Sequence, residues 1–299
     1  MKRILITGGL GQVGSYLVDH FHPAAEVTVL DNLSSTTREE IQENVTLITD
    51  DIRSEVAREL VADTDIVIHT AAQISVARSM EEPLFDADNN VFGTLNLLEA
   101  AREADLERFI YFSSAAVYGN PVTLPIDETH PQDPMSPYGA SKLSGEKYCM
   151  MYHRAYDLPT ASIRPFNIYS PRQDPSNPYS GVISKFMERA RAGLPPRIYG
   201  NGEQTRDFIS VHDIVELVAL TINNSRAIGQ VLNAGTGDAT TINELATIIL
   251  DLHDQQPAIE HTDPLAGDIR HSVADISAAR SIGFEPKIAL HDGLKEFLD

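Results

Sequence analysis

The sequence predicts an α/β fold in which a parallel sheet is wound with helices on both of its faces. Strand-like apolar runs alternate with helical segments along the first half of the 299-residue chain. The first run leads directly into a glycine-rich turn. Alternation of this kind requires crossover connections, which make consecutive strands parallel and cover the sheet with helices. The expected strands are 2–7, 26–30, 45–48, 66–69 and 109–112.

The overall charge excludes one class of partner. Asp and Glu number 43 against 23 Lys and Arg, which gives a net charge of −20. Nucleic-acid binding depends on clustered cations, so no nucleic-acid partner is expected. No apolar run reaches membrane-spanning length, and the four uncharged residues after Met1-Lys2-Arg3 are too few for a signal-peptide core. The sequence therefore predicts no membrane association and a cytoplasmic location.

The glycine-rich turn is typical of a dinucleotide-binding site. A strand, the segment Gly8-Gly9-Leu10-Gly11-Gln12-Val13-Gly14 and a helical pattern follow one another, which is the context that such a fingerprint requires. Glycine allows the backbone to approach a pyrophosphate, and the helix N-terminus favours the anion. The second strand ends at Asp31, where a carboxylate can bind ribose hydroxyls and would repel a 2′-phosphate. NAD is therefore predicted over NADP; alternatively, Asp31 caps a turn with Asn32.

Two further strand ends carry residues suited to a flat cofactor. Asp51 and Ile52 follow the third strand and could hold the adenine. Ala71 and Ala72 follow the fourth strand, and their small side chains would let the backbone lie close to the ligand. His69, which ends that strand, is interpreted as a packed residue rather than a catalyst.

The chemistry is predicted to lie at the start of a helix that begins at Pro137 and runs to about Tyr156. Ser136 suits the N-cap and proline the first helical position. Tyr138 and Lys142 would then share one helix face. An ammonium about 4 Å away contributes roughly 4 kcal/mol, about what is needed to bring a phenol pKa from about 10 to about 7. The alternative is an ordinary pair on a solvated helix face, because this spacing is common by chance.

Ser114 at the end of the fifth strand would add a hydroxyl beside this pair. With the glycine turn, these residues resemble the extended short-chain dehydrogenase/reductase family, most closely its nucleotide-sugar branch of NAD-dependent epimerases and dehydratases typified by the UDP-glucose 4-epimerases. The resemblance covers essentially the whole chain. It implies a Rossmann-type NAD-binding domain, 1–167 plus about 207–235, and a smaller C-terminal α/β substrate domain, about 168–206 plus 236–299.

The resemblance also implies a role for each site residue. Tyr138 would exchange a proton with the sugar O4, Lys142 would orient the ribose and lower the tyrosine pKa, and Ser114 would bind the same sugar oxygen. Asn90 would support the active-site backbone. The implied cofactor-binding residues are Gly8, Gly11, Gln12, Val13, Gly14, Asp31, Asn32, Asp51, Ile52, Ala71, Ala72, Asn90, Tyr138 and Lys142. The implied substrate-binding residues are Ser114, Tyr138, Asn167, Val182, Tyr199, Arg206, Asp268 and Ser272.

Three of these substrate residues have specific implied contacts. Asn167 and Arg206 would bind the diphosphate, and Tyr199 would lie on the uracil. The family usually has an arginine three residues before Asp268, where this chain has Leu265. Arg270 is a candidate to compensate for it.

The implied activity is reversible C4 epimerisation of UDP-hexoses, UDP-glucose and UDP-galactose, through a transient 4-keto intermediate and tightly bound NAD. Dehydratases and decarboxylases of this branch carry an acid just after the active-site serine, whereas Ala115 and Ala116 stand here. Ser272 occupies a position where a bulky residue excludes acetylated hexoses in some epimerases, so UDP-GlcNAc and UDP-GalNAc are also predicted substrates. The alternatives are another nucleotide-sugar dehydratase, decarboxylase or 4-ketoreductase or, from a different class, a non-catalytic NAD-binding regulatory protein.

Two expectations concern assembly and metals. By resemblance, helices near 88–102 and 137–156 pair with their copies in a homodimer. Leu143, Met150 and Met151 suit that interface, although core packing explains them equally well. No His cluster has metal-ligand spacing, so no metal is predicted.

Overall fold

A seven-stranded, wholly parallel sheet forms the centre of the larger part of the molecule. The computed structural model describes residues 1–36, 41–173, 181–254, 258–264 and 267–298. Within these ranges the strands are β1 (Arg3–Thr7), β2 (Glu26–Asp31), β3 (Thr46–Thr49), β4 (Ile66–His69), β5 (Arg108–Phe112), β6 (Thr160–Pro165), β7 (Asn167–Tyr169), β8 (Arg197–Tyr199), β9 (Thr205–Arg206), β10 (Phe208–Ser210), β11 (Val231–Ala234), β12 (Thr240–Thr241) and β13 (Glu260–Thr262). The sheet order is β3-β2-β1-β4-β5-β6-β11, and every neighbouring pair is parallel.

Helices cover both faces of this sheet, which confirms the predicted doubly wound fold. The α-helices of the described ranges are α1 (Gly14–Phe21), α2 (Glu55–Ala62), α3 (Val76–Glu81), α4 (Pro83–Ala87), α5 (Gly93–Glu103), α6 (Pro137–Tyr156), α7 (Val182–Arg191), α8 (Val211–Asn223), α9 (Ile242–Leu252), α10 (Ser277–Ser281) and α11 (Leu290–Lys295). Side chains of α1 and α8 pack in the apolar cluster on one face, and those of α2, α5 and α6 in the cluster on the other. The continuous burial of β4 and β5 is typical of strands covered on both sides.

The helix predicted to carry the chemistry begins where the sequence indicated. The Ser136 side chain accepts a hydrogen bond of 3.1 Å from the Gly139 amide, and Pro137 occupies the first helical position. The helix ends where Asp157 adopts a left-handed conformation with φ of 55°. A Cβ at Gly145 would lie 2.3 Å from the Tyr111 hydroxyl oxygen, so glycine is what allows α6 to lie this close to the sheet.

The helix expected over 88–102 differs from the prediction at its start. A π-helical turn, Asp88–Phe92, precedes α5. One extra residue per turn widens the backbone and changes which side chains face inward. Asn90 lies in this turn with 2% of its surface exposed.

A third apolar cluster lies beyond the sheet and is formed largely by α7, α9 and α11. Three two-stranded pairings, β7 with β10, β9 with β12 and β8 with β13, surround it. Asp207 stabilises this region because its carboxylate accepts hydrogen bonds from the amides of Thr236, Gly237 and Ala274. The chain later returns to the sheet, where Phe284 joins the cluster that contains α1 and α8. Leu265 lies outside the described residues.

Candidate active site

The glycine turn leaves β1 at the carboxyl edge of the sheet. Gly8 has φ of +69°, and a Cβ there would lie 2.8 Å from the backbone of Ala71. At Gly14 a Cβ would lie 2.1 Å from the Gly8 carbonyl oxygen. Both positions therefore exclude larger residues, and the turn stays tight at the start of α1. Asp31 also stabilises this turn. The Asp31 carboxylate accepts hydrogen bonds from the amides of Leu10 (3.0 Å) and Leu33 (2.9 Å).

A cleft of about 640 Å³ extends from this turn to the start of α6. It brings together most of the predicted site residues, namely Gly8, Gly11, Gln12, Val13, Gly14, Asp31, Asn32, Ile52, Ala71, Ala72, Ser114, Tyr138, Lys142, Asn167 and Val182. The Nε2 atom of Gln12 is buried in the turn and has no hydrogen-bond partner among the described residues. A phosphate oxygen would satisfy such a donor, so the turn and the cleft fit a dinucleotide such as NAD.

Ser114 and Tyr138 form a hydrogen-bonded pair in this cleft. The Ser114 hydroxyl oxygen accepts a bond of 3.1 Å from the Ala116 amide. Its proton is therefore free to be donated to Tyr138, and this hydrogen bond acts to lower the tyrosine pKa. Burial acts in the opposite direction and is the larger effect, so the pKa of Tyr138 is raised above 10.0. A buried phenol without a cation bound beside it stays protonated.

Lys142 is not among the causes of this shift, so the predicted lowering of the Tyr138 pKa by Lys142 stays a prediction. Lys142 has 4% of its surface exposed, and burial lowers its own pKa to about 8. Its ammonium lies 4.7 Å from the ring centroid of Tyr111, whose hydroxyl donates to the Lys142 carbonyl oxygen (3.2 Å). Burial is the largest cause of the pKa shift at both Tyr138 and Lys142, and the extent of burial cannot be obtained from their spacing in the sequence.

Two predicted cofactor residues do not line the cleft. The Asp51 carboxylate accepts two hydrogen bonds of 2.7 Å from Arg53, which lower its pKa to about 2. Its neighbours Asp50 and Ile52 form the cleft wall. Asn90 lies behind the wall. Its side-chain oxygen accepts a hydrogen bond of 2.8 Å from the Gln73 amide, and its side-chain nitrogen donates one of 2.9 Å to the Gln73 carbonyl oxygen. It supports the backbone from behind, as the resemblance implied, rather than bordering the cleft itself.

The predicted substrate residues fall into two groups. Ser114, Tyr138, Asn167 and Val182 line the cleft. The remaining four (Tyr199, Arg206, Asp268 and Ser272) do not. The Ser272 amide donates to the carbonyl oxygen of Thr205, at 3.2 Å, directly before Arg206.

The arginine expected to bind the diphosphate is already hydrogen-bonded. Arg206 donates to the carbonyl oxygens of Thr205 (2.8 Å) and Ile269 (2.7 Å) and to the carboxylate of Asp268 (2.5 Å). Burial lowers its pKa. Two of its three hydrogen bonds are to the backbone, and these fix the guanidinium in place.

Sequence reasoning missed a buried ionic network beside the cleft. Glu146 lies two helical turns after Tyr138 and pairs with Arg164 of β6 at 2.6 and 2.7 Å, with both side chains 1% exposed. Ser113, next to the active-site serine, donates to the same carboxylate at 2.8 Å. Through these contacts Glu146 joins α6 to the ends of β5 and β6. The helical spacing of Glu146 from Tyr138 and Lys142 could have indicated that Glu146 lies on the same helix face, but not that Arg164 is its partner.

Two further features bear on the class of site. Within the described ranges, no group of three or more His, Cys, Asp or Glu side chains could hold a metal ion. None of the helices described here combines the length and apolar character that crossing a bilayer requires.

The fold and this cleft define a nucleotide-binding α/β protein with a Ser-Tyr-Lys set beside its glycine turn. The chain belongs to the NAD-dependent epimerase/dehydratase family, whose model matches residues 4–235. A putative UDP-glucose 4-epimerase of Methanocaldococcus jannaschii is 39% identical, with 99% of this chain and 97% of the relative covered.

Two solved structures are also similar over 99% of this chain and 97% of their own. One is a UDP-N-acetylglucosamine 4-epimerase from Methanobrevibacter ruminantium in complex with UDP-N-acetylmuramic acid, with a TM-score of 0.95 and 38% identity. The other is a UDP-glucose 4-epimerase from Thermotoga maritima with UDP-glucose, with a TM-score of 0.94 and 36% identity.

Proposed function

We propose that the protein is an NAD-dependent UDP-hexose 4-epimerase that acts on UDP-glucose and UDP-galactose. The observation that carries this proposal is the cleft in which Ser114, Tyr138 and Lys142 lie beside a glycine turn suited to a dinucleotide. The similar UDP-sugar 4-epimerases, which match over nearly the whole chain, support the same reaction.

The residues of the cleft account for the proton transfers. Tyr138 takes the proton from the sugar O4 as the C4–H bond breaks, and returns it to the same oxygen after the 4-ketose has turned over. Ser114 donates a hydrogen bond to the reacting oxygen or to the phenolate. When bound, NAD would accept the hydride from C4 and return it to the opposite face of the 4-ketose, and its oxidised ring would carry a positive charge. That charge would offset the burial that raises the Tyr138 pKa, and Lys142 adds to it.

Two of the alternative reactions, those of a dehydratase and a decarboxylase, are associated in this branch with an acid just after the active-site serine, and the two residues after Ser114 are alanines. Ala115 and Ala116 form the turn after Ser114. Elimination of water needs a group that protonates the departing hydroxyl, so a dehydratase is disfavoured. A non-catalytic role is disfavoured because the chain has all three reactive side chains, Ser114, Tyr138 and Lys142.

We extend the proposal to the acetylated pair, UDP-GlcNAc and UDP-GalNAc. Its support is the small side chain of Ser272, together with the similar UDP-N-acetylglucosamine 4-epimerase. Asn167 and Arg206 would bind the diphosphate, and Tyr199 would bind the uracil. Asp268 lies beside Arg206.

We also propose the two-domain division and the homodimer expected from the sequence. The separate apolar cluster of α7, α9 and α11 supports a substrate domain of about 168–206 plus 236–299. Exposed apolar side chains on the two predicted interface helices, Phe92 at 63% and Met151 at 39%, support the dimer. Light scattering that shows only monomer would contradict it. The cytoplasmic location stays a prediction.

The function can be tested on the protein as purified, without added NAD. It is incubated separately with UDP-galactose, UDP-GalNAc and UDP-glucuronate, and the products are resolved by chromatography. We expect interconverted 4-epimers from the first two substrates, with no accumulation of NADH. A stable 4-keto product would instead indicate a dehydratase, and a pentose formed from UDP-glucuronate would indicate a decarboxylase. Tyr138→Phe, prepared in parallel, shows whether any turnover depends on this cleft.

A further inference from the structure

A buried histidine behind the catalytic lysine has both ring nitrogens hydrogen-bonded. His69 ends β4 and has 2% of its surface exposed. Its Nδ1 lies 2.8 Å from the Thr7 hydroxyl oxygen, and its Nε2 lies 3.0 Å from the Thr94 hydroxyl oxygen. Thr7 is the last residue before the glycine turn, whereas Thr94 lies in the first turn of α5. The ring therefore joins the end of β1 to the first turn of α5.

The neighbours of the ring assign its tautomer. Thr94 donates its only hydroxyl proton to the carbonyl oxygen of Asn90 at 2.7 Å, so toward the ring it can only accept. Nε2 of His69 must then carry the hydrogen, and Nδ1 accepts from Thr7, whose oxygen accepts from the Ala71 amide (3.3 Å). Every donor in this chain of hydrogen bonds has one acceptor. Burial, with repulsion from Lys142 as the smaller cause, lowers the His69 pKa to about 3, so the ring stays neutral.

The chain of hydrogen bonds continues to the catalytic helix. The Asn90 amide donates to the Ser141 hydroxyl at 3.1 Å, and that hydroxyl donates to the carbonyl oxygen of Tyr138 at 3.0 Å. The connection thus leads from the strand before the glycine turn, through His69, Thr94 and the π-helical turn, to the residue that carries the reacting phenol. Four side chains form this connection, and each of them has at most 4% of its surface exposed: His69, Thr94, Asn90 and Ser141.

We propose that His69, held as the neutral Nε2–H tautomer, is a positioning residue that sets the distance between the glycine turn and the helix carrying Tyr138 and Lys142. The cofactor would lie on the first of these elements and the proton-transfer groups on the second. His69 touches neither the cofactor nor the sugar, so it acts only through its neighbours. The proposal rests on the proposed function for its kinetic readout but not for its structural one.

The test compares two buried threonines. Thr94→Val removes the acceptor of the His69 hydrogen bond and one bond to the helix backbone. Thr221→Val removes only the equivalent bond within α8, where the hydroxyl of the fully buried Thr221 donates to Leu217 at 2.7 Å. We expect Thr94→Val to lower kcat by about tenfold or more, with KM for the UDP-sugar changed less than about threefold, because small misplacements at a reacting centre cost up to about 10² in rate. Thr221→Val should stay within about twofold in both.

Hydrogen exchange measured by mass spectrometry gives the structural readout. In Thr94→Val the amides of residues 137–145 should exchange faster than in wild type, and in Thr221→Val they should not. His69→Gln, which keeps a donor toward Thr94, should retain more activity than His69→Leu. Equal kcat and equal exchange in the two valine variants would overturn the proposal. If wild type lacks epimerase activity, the proposed function fails and the exchange comparison alone decides the role of His69.

Discussion

The predicted site has an inner half, which is the cleft beside the catalytic helix, and an outer half, which is formed by Tyr199, Arg206, Asp268 and Ser272 beyond the cleft. The two halves differ in how far the protein prepares them for a ligand. In the inner half, Lys142 is buried and Tyr138 is partly buried, and both lie on a helix held to the sheet by the Glu146–Arg164 pair. In the outer half, Tyr199 is 43% exposed. The residues that would transfer protons are therefore fixed by the fold, while the aromatic ring that would lie on the uracil is exposed.

The hydrogen bonds of Arg206 show what this difference means for binding. Its bonds to the Thr205 and Ile269 carbonyl oxygens hold the guanidinium, and its bond to Asp268 is the one that an anion could replace. A diphosphate would substitute for one carboxylate without reorienting the arginine. In the proposed function, proton transfer would therefore depend on the rigid inner half, and diphosphate binding on replacement of the Asp268 carboxylate at Arg206.

Removing the phenol tests the inner half most directly. Tyr138→Phe should lower kcat about 10³- to 10⁴-fold, because it removes the group that exchanges the O4 proton, with little change in bound NAD. Tyr148→Phe is the matched control, since it removes a phenol oxygen from a partly exposed side chain on the same helix. The measurement is the rate of epimer formation. Comparable losses in both variants would exclude Tyr138 as the acid/base.

The rigidity of the inner half can be broken at its buried ion pair. Arg164→Met leaves the Glu146 carboxylate without its charge partner inside the protein and should lower the free energy of unfolding by about 3–5 kcal/mol. Arg280→Met is the control, because Arg280 and Glu285 form a pair with 52% and 64% exposed side chains and such pairs contribute about 1 kcal/mol or less. Urea unfolding measures both. Equal effects would mean that the buried pair does not hold α6 in place.

The sequence predicted the inner half better than the outer half, and local geometry explains why. The glycine turn, Asp31 and the start of α6 depend on residues close together in the chain, so spacing and capping preferences suffice. The π-helical turn at Asn90 could not be distinguished from an α-helix by periodicity. The Glu146–Arg164 pair and the Arg206–Asp268 pair join distant segments and could not be deduced from spacing. The sign of the Tyr138 pKa shift depends on burial, which only the folded structure gives.

Substrate choice tests the outer half. Ser272→Tyr should lower kcat/KM for UDP-GalNAc by about 100-fold, because a bulky side chain would occupy the space of the acetyl group, and should change the value for UDP-galactose much less. Ser272→Ala is the control for loss of the hydroxyl alone. Equal losses on both substrates would contradict the steric explanation and would indicate that the substitution disturbs the neighbouring Arg206.

The smallest expected effect concerns the charge of Lys142, whose pKa is lowered by burial. Its folded pKa of about 8 lies below the ordinary value of 10.5. Below pH 8 both states carry the proton, and the folded protein bears the full cost of the buried ammonium. Between about pH 8 and 10.5 the folded state releases the proton while the unfolded state keeps it, so stability rises with pH, by up to about 1.4 kcal/mol per unit.

The measurement compares urea unfolding of wild type and Lys142→Met at intervals from pH 7 to 9.5. The difference in unfolding free energy should be flat below about pH 8 and should then change in favour of wild type. Lys147→Met, on an exposed position of the same helix, should give a difference that stays flat throughout. Epimerase activity should fall over the interval in which stability rises, because the fold favours the neutral amine while proton transfer at Tyr138 needs the ammonium. A wild-type activity that is constant to pH 9.5 would mean that the bound ligands, rather than Lys142, supply the charge that the phenol requires.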